Sequence, residues 1–458
     1  MTLRNRLSTL NLPLLSSMFK FALPIMAMNL LQLAFNAADM IVVGRFDGSL
    51  ALAAVGATGS LINLIVNLFM GLSVGTAVVV AQDYGARNNQ GIRQSVHTSI
   101  AISSITGLFV ALLGIILSTP LLQMMGTPGD IISLSTLYMK IYFIGMPASM
   151  VYNFGAAILR AVGDSKRPMY FLTVSGVVNV ILNIVFVAGF SMGVSGVAWS
   201  TVISQYLTMI LILTSLSKSE DAIRFNWRRL QVHKGKLGQI VRIGLPAGLQ
   251  GLLFSISNVL IQSAVNSFGS IMVAASAASS NVENLVGTTT NSYYNAAITY
   301  TGQSMGAKDY DQIDEIAKIS TVFVFATWLA LGGAIVLLGR PLLSLYTTNP
   351  EVVGLGMQRL KIMMAVYFSA GIMNVFPGLT RAMGYSILPM LSTLVGACLL
   401  RILWLVTVFK WYPTMMMLFA AYPVTWTLAG LGQVASFFYA RHQVRKQALT
   451  PEPQELNA

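Results

Sequence analysis

Apolar stretches long enough to cross a bilayer recur along almost the whole chain, and they leave room for little besides membrane spans. They fall at approximately 19–44, 52–80, 97–118, 133–158, 169–189, 194–216, 239–266, 272–300, 317–338, 353–379, 387–409 and 415–439. Each reaches the length of about 20 residues that a helix needs to traverse the hydrocarbon core. Charged residues make up 9% of the 458, and hydrophobic ones 55%, where a soluble domain carries about 25% charged. The expected fold is an all-α integral membrane protein with twelve transmembrane helices. Met1–Phe19 is polar and basic without a small-residue cleavage site, so no cleavable signal peptide is expected.

The net charge of +13 raises the question of nucleic acid, but its placement answers differently. Arg4, Arg6 and Lys20 precede or open the first span, and Arg87 with Arg93, then Arg160, Lys166 and Arg167, fall in alternate connections. The dense set Lys218, Arg224, Arg228, Arg229, Lys234, Lys236 and Arg242 follows, then Lys308, Arg381, Arg441, Arg445 and Lys446. The opposite connections offer only Arg45, Arg340 and Lys410. Lys and Arg accumulate on the cytoplasmic side, so both termini are expected there, in the plasma membrane of a prokaryotic cell.

The chain repeats itself. At a shift of 221 residues Gln82, Gly85 and Ala86 fall on Gln303, Gly306 and Ala307, and Pro120-Leu121-Leu122 falls on Pro341-Leu342-Leu343. Lys140 then matches Lys361, Asn153 matches Asn374, Arg160-Ala161-x-Gly163 matches Arg381-Ala382-x-Gly384, and Pro168-Met169 matches Pro389-Met390. Leu23-Pro24 matches Leu245-Pro246 with one extra residue. Six spans per half make parallel repeats, so two pseudo-symmetric six-helix lobes are expected, with the substrate path between them. The boundaries expected are a cytoplasmic segment 1–18, an N-terminal lobe 19–217, a linker 218–238, a C-terminal lobe 239–440 and a tail 441–458. The linker reads as a solvated face near anionic lipid, and the tail from Gln447, with Pro451 and Pro453, as disordered.

Two carboxylates stand inside spans. Asp39 lies in the first and Glu283 in the eighth, and an intramembrane carboxylate costs roughly 2.5–3.5 kcal/mol to insert, which makes it functional by default. The competing account for each is a helix end snorkelling to water. Glu283 belongs to a polar stripe of Ser276, Ser280, Gly287, Thr290, Asn291 and Tyr294, and the preceding span offers Ser255, Asn258, Gln262 and Asn266. Such a stripe must face protein or water, which suggests a hydrophilic vestibule in the C-terminal lobe lined by Gln262, Ser280, Asn291 and Tyr294. Asn179 and Asn183 share a face of the fifth span one turn apart; ordinary interhelical hydrogen bonding accounts for them equally well. Lys140 and Lys361 read as snorkelling residues.

Several chemistries are excluded. The lone cysteine, Cys398, rules out an intramolecular disulfide and a Cys-ligated metal site. Gly71-Leu-Ser-Val-Gly75 fits a nucleophile elbow, yet that motif needs a strand before its turn; the same residues fit a Gly-x-x-x-Gly helix-packing signal. His97, His233 and His442 are scattered, and no Walker A sequence occurs. No cofactor is expected, and energy must come from an ion gradient.

The order Leu23-Pro24, Asp39-x-x-x-x-Gly44-Arg45, Leu52-Ala53-Ala54-Val55-Gly56, Gln82-x-x-Gly85-Ala86 and Arg160-Ala161-x-Gly163-Asp164 resembles the multidrug and toxic compound extrusion (MATE) family over about residues 15 to 440. The resemblance implies a cation-coupled antiporter of two six-helix lobes around a V-shaped cavity, exporting amphipathic, often cationic drugs in exchange for H⁺ or Na⁺. Asp39 matches the first-helix carboxylate that binds the coupling cation, and Asn179, Asn183 and Thr201 match positions lining that site in some branches. The second of these positions is usually Asp in the family, so Asn183 removes a negative charge. Glu283 resembles the eighth-helix carboxylate of another branch, which leaves open which lobe couples. If Na⁺ is the coupling ion, Asp39 and Glu283 are its expected metal ligands. The 25 methionines suit a cavity that repacks around varied ligands.

Partners expected are small-molecule drugs or organic cations and membrane lipid, not nucleic acid, for a protein sufficient as a monomer. A lipid-linked precursor flippase is the alternative; it should carry positive charges inside its spans, where Arg359 and Arg401 are the residues to watch. A membrane-embedded enzyme lacks any supporting motif. A scaffolding role leaves Asp39 and Glu283 unexplained.

Overall fold

A computed structural model describes residues 11–449, which include neither Arg4 and Arg6 nor the tail with Pro451 and Pro453. Twelve long helical segments follow one another. They are α1 (Leu12–Phe46), α2 (Ser49–Gly85), α3 (Asn89–Met124), α4 (Ile132–Ile144 and Met146–Ala161), α5 (Lys166–Asn183 and Ile184–Gly189) and α6 (Gly193–Ser217). The second set is α7 (Lys234–Asn266), α8 (Ser270–Gly306), α9 (Tyr310–Thr327, Trp328–Gly332 and Gly333–Ser344), α10 (Pro350–Ala365 and Tyr367–Ala382), α11 (Ile387–Thr393 through Leu405–Phe409) and α12 (Met415–Leu449). Among the described residues nine are long and apolar enough to span a membrane, and bent α4 and α10 qualify if each is taken as one span. The remaining one, α8, is as long as α2; its polar stripe lowers its hydropathy, not its reach.

The repeat written in the sequence reappears in the backbone at the same 221-residue offset. α4 bends by 48° around Gly145, and α10 by 55° around Val366. At both breaks the ladder tightens to a three-residue bond, Gly145 N–H to the Tyr142 carbonyl (3.0 Å) and Val366 N–H to the Met363 carbonyl (3.4 Å). Gly48 and Gly269 both take φ 90°, and Arg87 and Lys308 take 54° and 58°. Asn88 caps α3 by accepting from Gly91 N–H at 2.9 Å, and Asp309 caps α9 by accepting from Gln312 N–H at 3.1 Å.

The chain divides into two compact units. One runs from Lys20 to Gly248; the other comprises residues 249–449 together with residues 11–19. The core of the first joins α2, α3, α4 and α6 through Val80, Ile100, Leu159 and Ile212. That of the second joins α8, α10 and α12 through Val282, Leu360 and Phe419.

Three segments depart from the sequence reading. α1 begins at Leu12 and α7 at Lys234, so helix reaches into the segments set apart as 1–18 and 218–238. The linker is not wholly solvated: Ile223 and Phe225 are buried in the first unit's core, and Lys236 pairs with buried Asp83 at 2.6 Å. Gln447 to Leu449, expected to be disordered, continue α12. Apolar side chains four apart and internal ion pairs extend order past the hydrophobic run.

The Gly71/Gly75 pair does serve packing. A Cβ on Gly71 would lie 2.1 Å from Gly248 N, and one on Gly75 would lie 2.2 Å from the Ile240 carbonyl oxygen. Gly244 and Gly248 return the same spacing on α7, so two backbones meet where only glycine fits. Gly71→Ala is therefore expected to lower the thermal midpoint of the purified protein, the overpacking costing about 1–3 kcal/mol. Gly59→Ala, on the same helix with nothing within 4 Å of a new Cβ, should leave it unchanged. Equal midpoints for the two variants would refute the backbone contact.

Candidate functional site

In the first unit three elements converge on one carboxylate. Asp39 stands on α1, and the Asn183 side-chain amide donates to its Oδ1. The same amide reaches Asn179 Oδ1 at 3.4 Å, one turn earlier on α5. Ser200 on α6 meets Asn183 Oδ1 with its hydroxyl, which also reaches the Val197 carbonyl at 2.8 Å; an ionised Asp39 carboxylate, able only to accept, requires the nitrogen end of that amide. Asn183 and Ser200 have no exposed surface, and Asn179 is buried. The π-helical turn Ile184–Gly189 begins directly after Asn183; such turns re-aim side chains at functional positions.

Asp39 has no ion pair among the described residues. Its one hydrogen-bond partner there is a neutral amide, so no described positive charge neutralises the partly buried carboxylate. Thr201 stands beside Ser200 in the chain, but its hydroxyl donates to the Val197 carbonyl at 2.9 Å. Ser200, which the sequence reading did not select, occupies the contact. One serine in an apolar helix carries no signal until its neighbour is known.

The second unit holds a different arrangement. Glu283 on α8 pairs with Arg359 on α10 at 3.0 Å, both largely buried, and the Arg359 guanidinium lies 5.6 Å from the centre of the Phe419 ring. Arg401 on α11 is completely buried. It donates to Ser257 Oγ (3.1 Å), Asn258 Oδ1 (2.9 Å) and Thr425 Oγ1 (3.3 Å), and stacks 4.7 Å from the Tyr422 ring centre. No described carboxylate pairs with it. The snorkelling account of Glu283 is thus replaced by a buried ion pair, because α10 brings a guanidinium to it.

The expected cavity residues separate. Gln262 donates to Asn266 at 3.0 Å, and both are exposed. Asn291 is exposed and accepts from Asn295 at 3.3 Å. Ser280 is half-buried. Tyr294 is tied down: Arg381 Nη1 donates to its hydroxyl at 2.5 Å, while Nη2 donates to Gln250. Among the described residues no group of three or more His, Cys, Asp or Glu could hold a metal ion.

Among the described residues the body is helical, with helices long and apolar enough to cross a membrane and a carboxylate inside one of them, an arrangement that fits a membrane transporter. The MatE family model matches residues 24–185 and 246–407, one copy in each half, and the chain belongs to that family, the multidrug and toxic compound extrusion transporters. It is 30% identical over 386 residues to the "Probable multidrug resistance protein YoeA" of Bacillus subtilis, covering 81% of this chain and 82% of the relative. It is 22% identical over 372 residues to the "Multidrug export protein MepA" of Staphylococcus aureus, covering 81% and 82%. The fold matches that of the Vibrio cholerae MATE transporter VcmN in the bent form with a TM-score of 0.86, at 23% identity, over 95% of this chain and 98% of that one. The fold is accordingly the twelve-helix, two-lobe fold of these transporters.

Proposed function

We propose that the chain is a multidrug efflux antiporter of the plasma membrane, exporting amphipathic, cationic small molecules in exchange for H⁺ or Na⁺. The observation that carries this reading is Asp39, a carboxylate inside α1 with a neutral amide for a partner and no ion pair among the described residues. Glu283 is less suited to take up the coupling ion, since Arg359 already neutralises it. The coupling site is therefore assigned to the N-terminal lobe, with Asp39 as the ion-binding group and Asn179, Asn183 and Ser200 positioning it. A carboxylate whose one side-chain partner is a neutral amide donor accepts either a proton or a monovalent cation on its remaining lone pairs. Uptake of that ion from outside releases the drug, and its loss to the cytoplasm lets drug bind again, so the two alternate. Both termini are assigned to the cytoplasm, the drug-contacting residues to the lobe interiors, and the working unit to a monomer.

The test is transport by the purified protein in sealed vesicles. Either an imposed pH gradient or an imposed Na⁺ gradient should drive ethidium against its concentration, and collapsing that gradient should stop it. Ethidium movement that ignores both gradients would overturn coupled antiport. Arg401 supports a second reading, in which a lipid-linked anion is the cargo; its mark would be flipping of a labelled lipid diphosphate by the same vesicles without ethidium transport.

A further inference from the structure

The two units use the same niche in opposite electrostatic ways. In the second, Asp311 and Asp314 near the start of α9 hold arginines from the end of α12. Arg441 meets Asp314 at 2.5 Å, and Arg445 meets Asp311 at 2.7 Å and Asp314 at 2.8 Å. At the 221-residue offset the first unit places Gln90 and Arg93 on α3, an amide and a positive charge where the acids stood. The segment that follows its sixth helix nonetheless brings Arg224, Arg228 and Arg229 to the same end of α3.

A cavity of about 730 Å³ remains there, lined by those four arginines, by His97 and His233, and by Glu220 and Asp221. None of the four guanidiniums forms an ion pair among the described residues. His97 adds no charge: its Nδ1 meets the Arg93 carbonyl at 2.7 Å, and its Nε2 accepts from Asn226 N–H at 3.2 Å, so one nitrogen must lack a proton. The wall is fixed rather than loose. His233 N–H donates to Thr98 at 3.0 Å, and Phe225 packs on His97 with ring centres 5.5 Å apart. Four guanidiniums and two carboxylates therefore face the cavity, and among the described residues neither carboxylate pairs with an arginine, so a net positive charge remains.

We propose that this cavity binds the phosphate headgroup of an anionic phospholipid. Its position, at the start of α3 and just past the end of α6, puts it where spans meet the membrane surface. Trp227 beside it is 61% exposed, and Leu230 and Val232 are exposed as well. An indole and aliphatic side chains next to guanidiniums match the boundary between acyl chain and headgroup. The inference does not depend on the transport reading.

The experiment uses the purified full chain in detergent, titrated with phosphatidylglycerol, with phosphatidylcholine, or with inorganic phosphate, and follows the thermal midpoint. Phosphatidylglycerol should raise it saturably where the other two do not. Neutralising Arg228 and Arg229 by R228Q/R229Q should weaken the apparent affinity about fivefold per residue. Arg93→Asp restores the acid of the other repeat; it should raise the midpoint without lipid and abolish the lipid response. A variant that failed to fold could not show that rise, so the two outcomes separate. Equal effects of both lipids, a full response to phosphate alone, or an undiminished lipid response in Arg93→Asp would overturn the proposal.

Discussion

Asp39→Asn is expected to reduce ethidium efflux from energised cells lacking their own pumps to the rate of cells without the protein. The substitution keeps size and shape and leaves Asn183 a hydrogen-bond acceptor, so the α1–α5 contact survives. What disappears is the negative charge that a proton or cation would neutralise. Because the Asp39 carboxylate has no internal positive partner, its loss frees no buried charge, and the variant should express and unfold like the native chain. Drug and coupling ion then no longer exchange. Efflux from the variant equal to that of the native chain, at equal expression, would remove Asp39 from coupling and return the role to Glu283. Absence of efflux from both would sink multidrug export and favour the anionic lipid cargo.

Much of this architecture could be read from residue order, and the reason is the solvent. A bilayer demands about 20 apolar residues per span, so helix positions followed from hydropathy to within several residues. The 221-residue offset extended that reading to the backbone, down to the paired φ values of Gly48 and Gly269 and of Arg87 and Lys308. What hydropathy cannot register is a break that leaves a span apolar. Neither Val366 nor Gly145 interrupts the apolar run, yet each ends a helix. Nor can it register a helix end held by ion pairs, as Arg441 and Arg445 hold α12 beyond its apolar part.

The candidate site was legible to the extent that its members are polar residues in apolar surroundings. Asp39 stands out that way, whereas Asn179 and Asn183 enter the site only through the family resemblance, since interhelical bonding accounts for them equally well; the fold brings the three together. Ser200 escaped, since serine in a membrane helix commonly bonds its own preceding turn, as Ser204 does to the Ser200 carbonyl at 2.7 Å. Ser200 likewise reaches the Val197 carbonyl at 2.8 Å; its contact with Asn183 depends on how α5 and α6 pack, which spacing does not encode. Glu283 shows the converse. Its place in a polar stripe, with the family resemblance, points to a group that takes up a cation, but the cation is Arg359, 76 residues away in the chain and 3.0 Å away in space.

That pairing sets the second large effect. Glu283→Gln removes one partner of a buried ion pair and leaves Arg359 uncompensated in a unit that already buries Arg401. Among the described residues Arg359 Nε and Nη1 and Arg401 Nε have no hydrogen-bond partners even in the native protein, and no second carboxylate stands beside Arg359 to take up the released charge. Breaking a buried pair from one side costs about 3–5 kcal/mol, whereas replacing both partners by apolar residues of similar volume is often neutral. Glu283→Gln should therefore lower the thermal midpoint of the purified protein well below that of the native chain, and Arg359→Met in that background should restore most of the loss. The single change should depress transport through the amount of folded protein, with ethidium efflux per folded molecule retained. A stable Glu283→Gln protein that has lost gradient-driven efflux would reverse the assignment and place ion coupling in the C-terminal lobe. Arg359 would then be the positioning group that tunes Glu283 rather than its structural counter-ion.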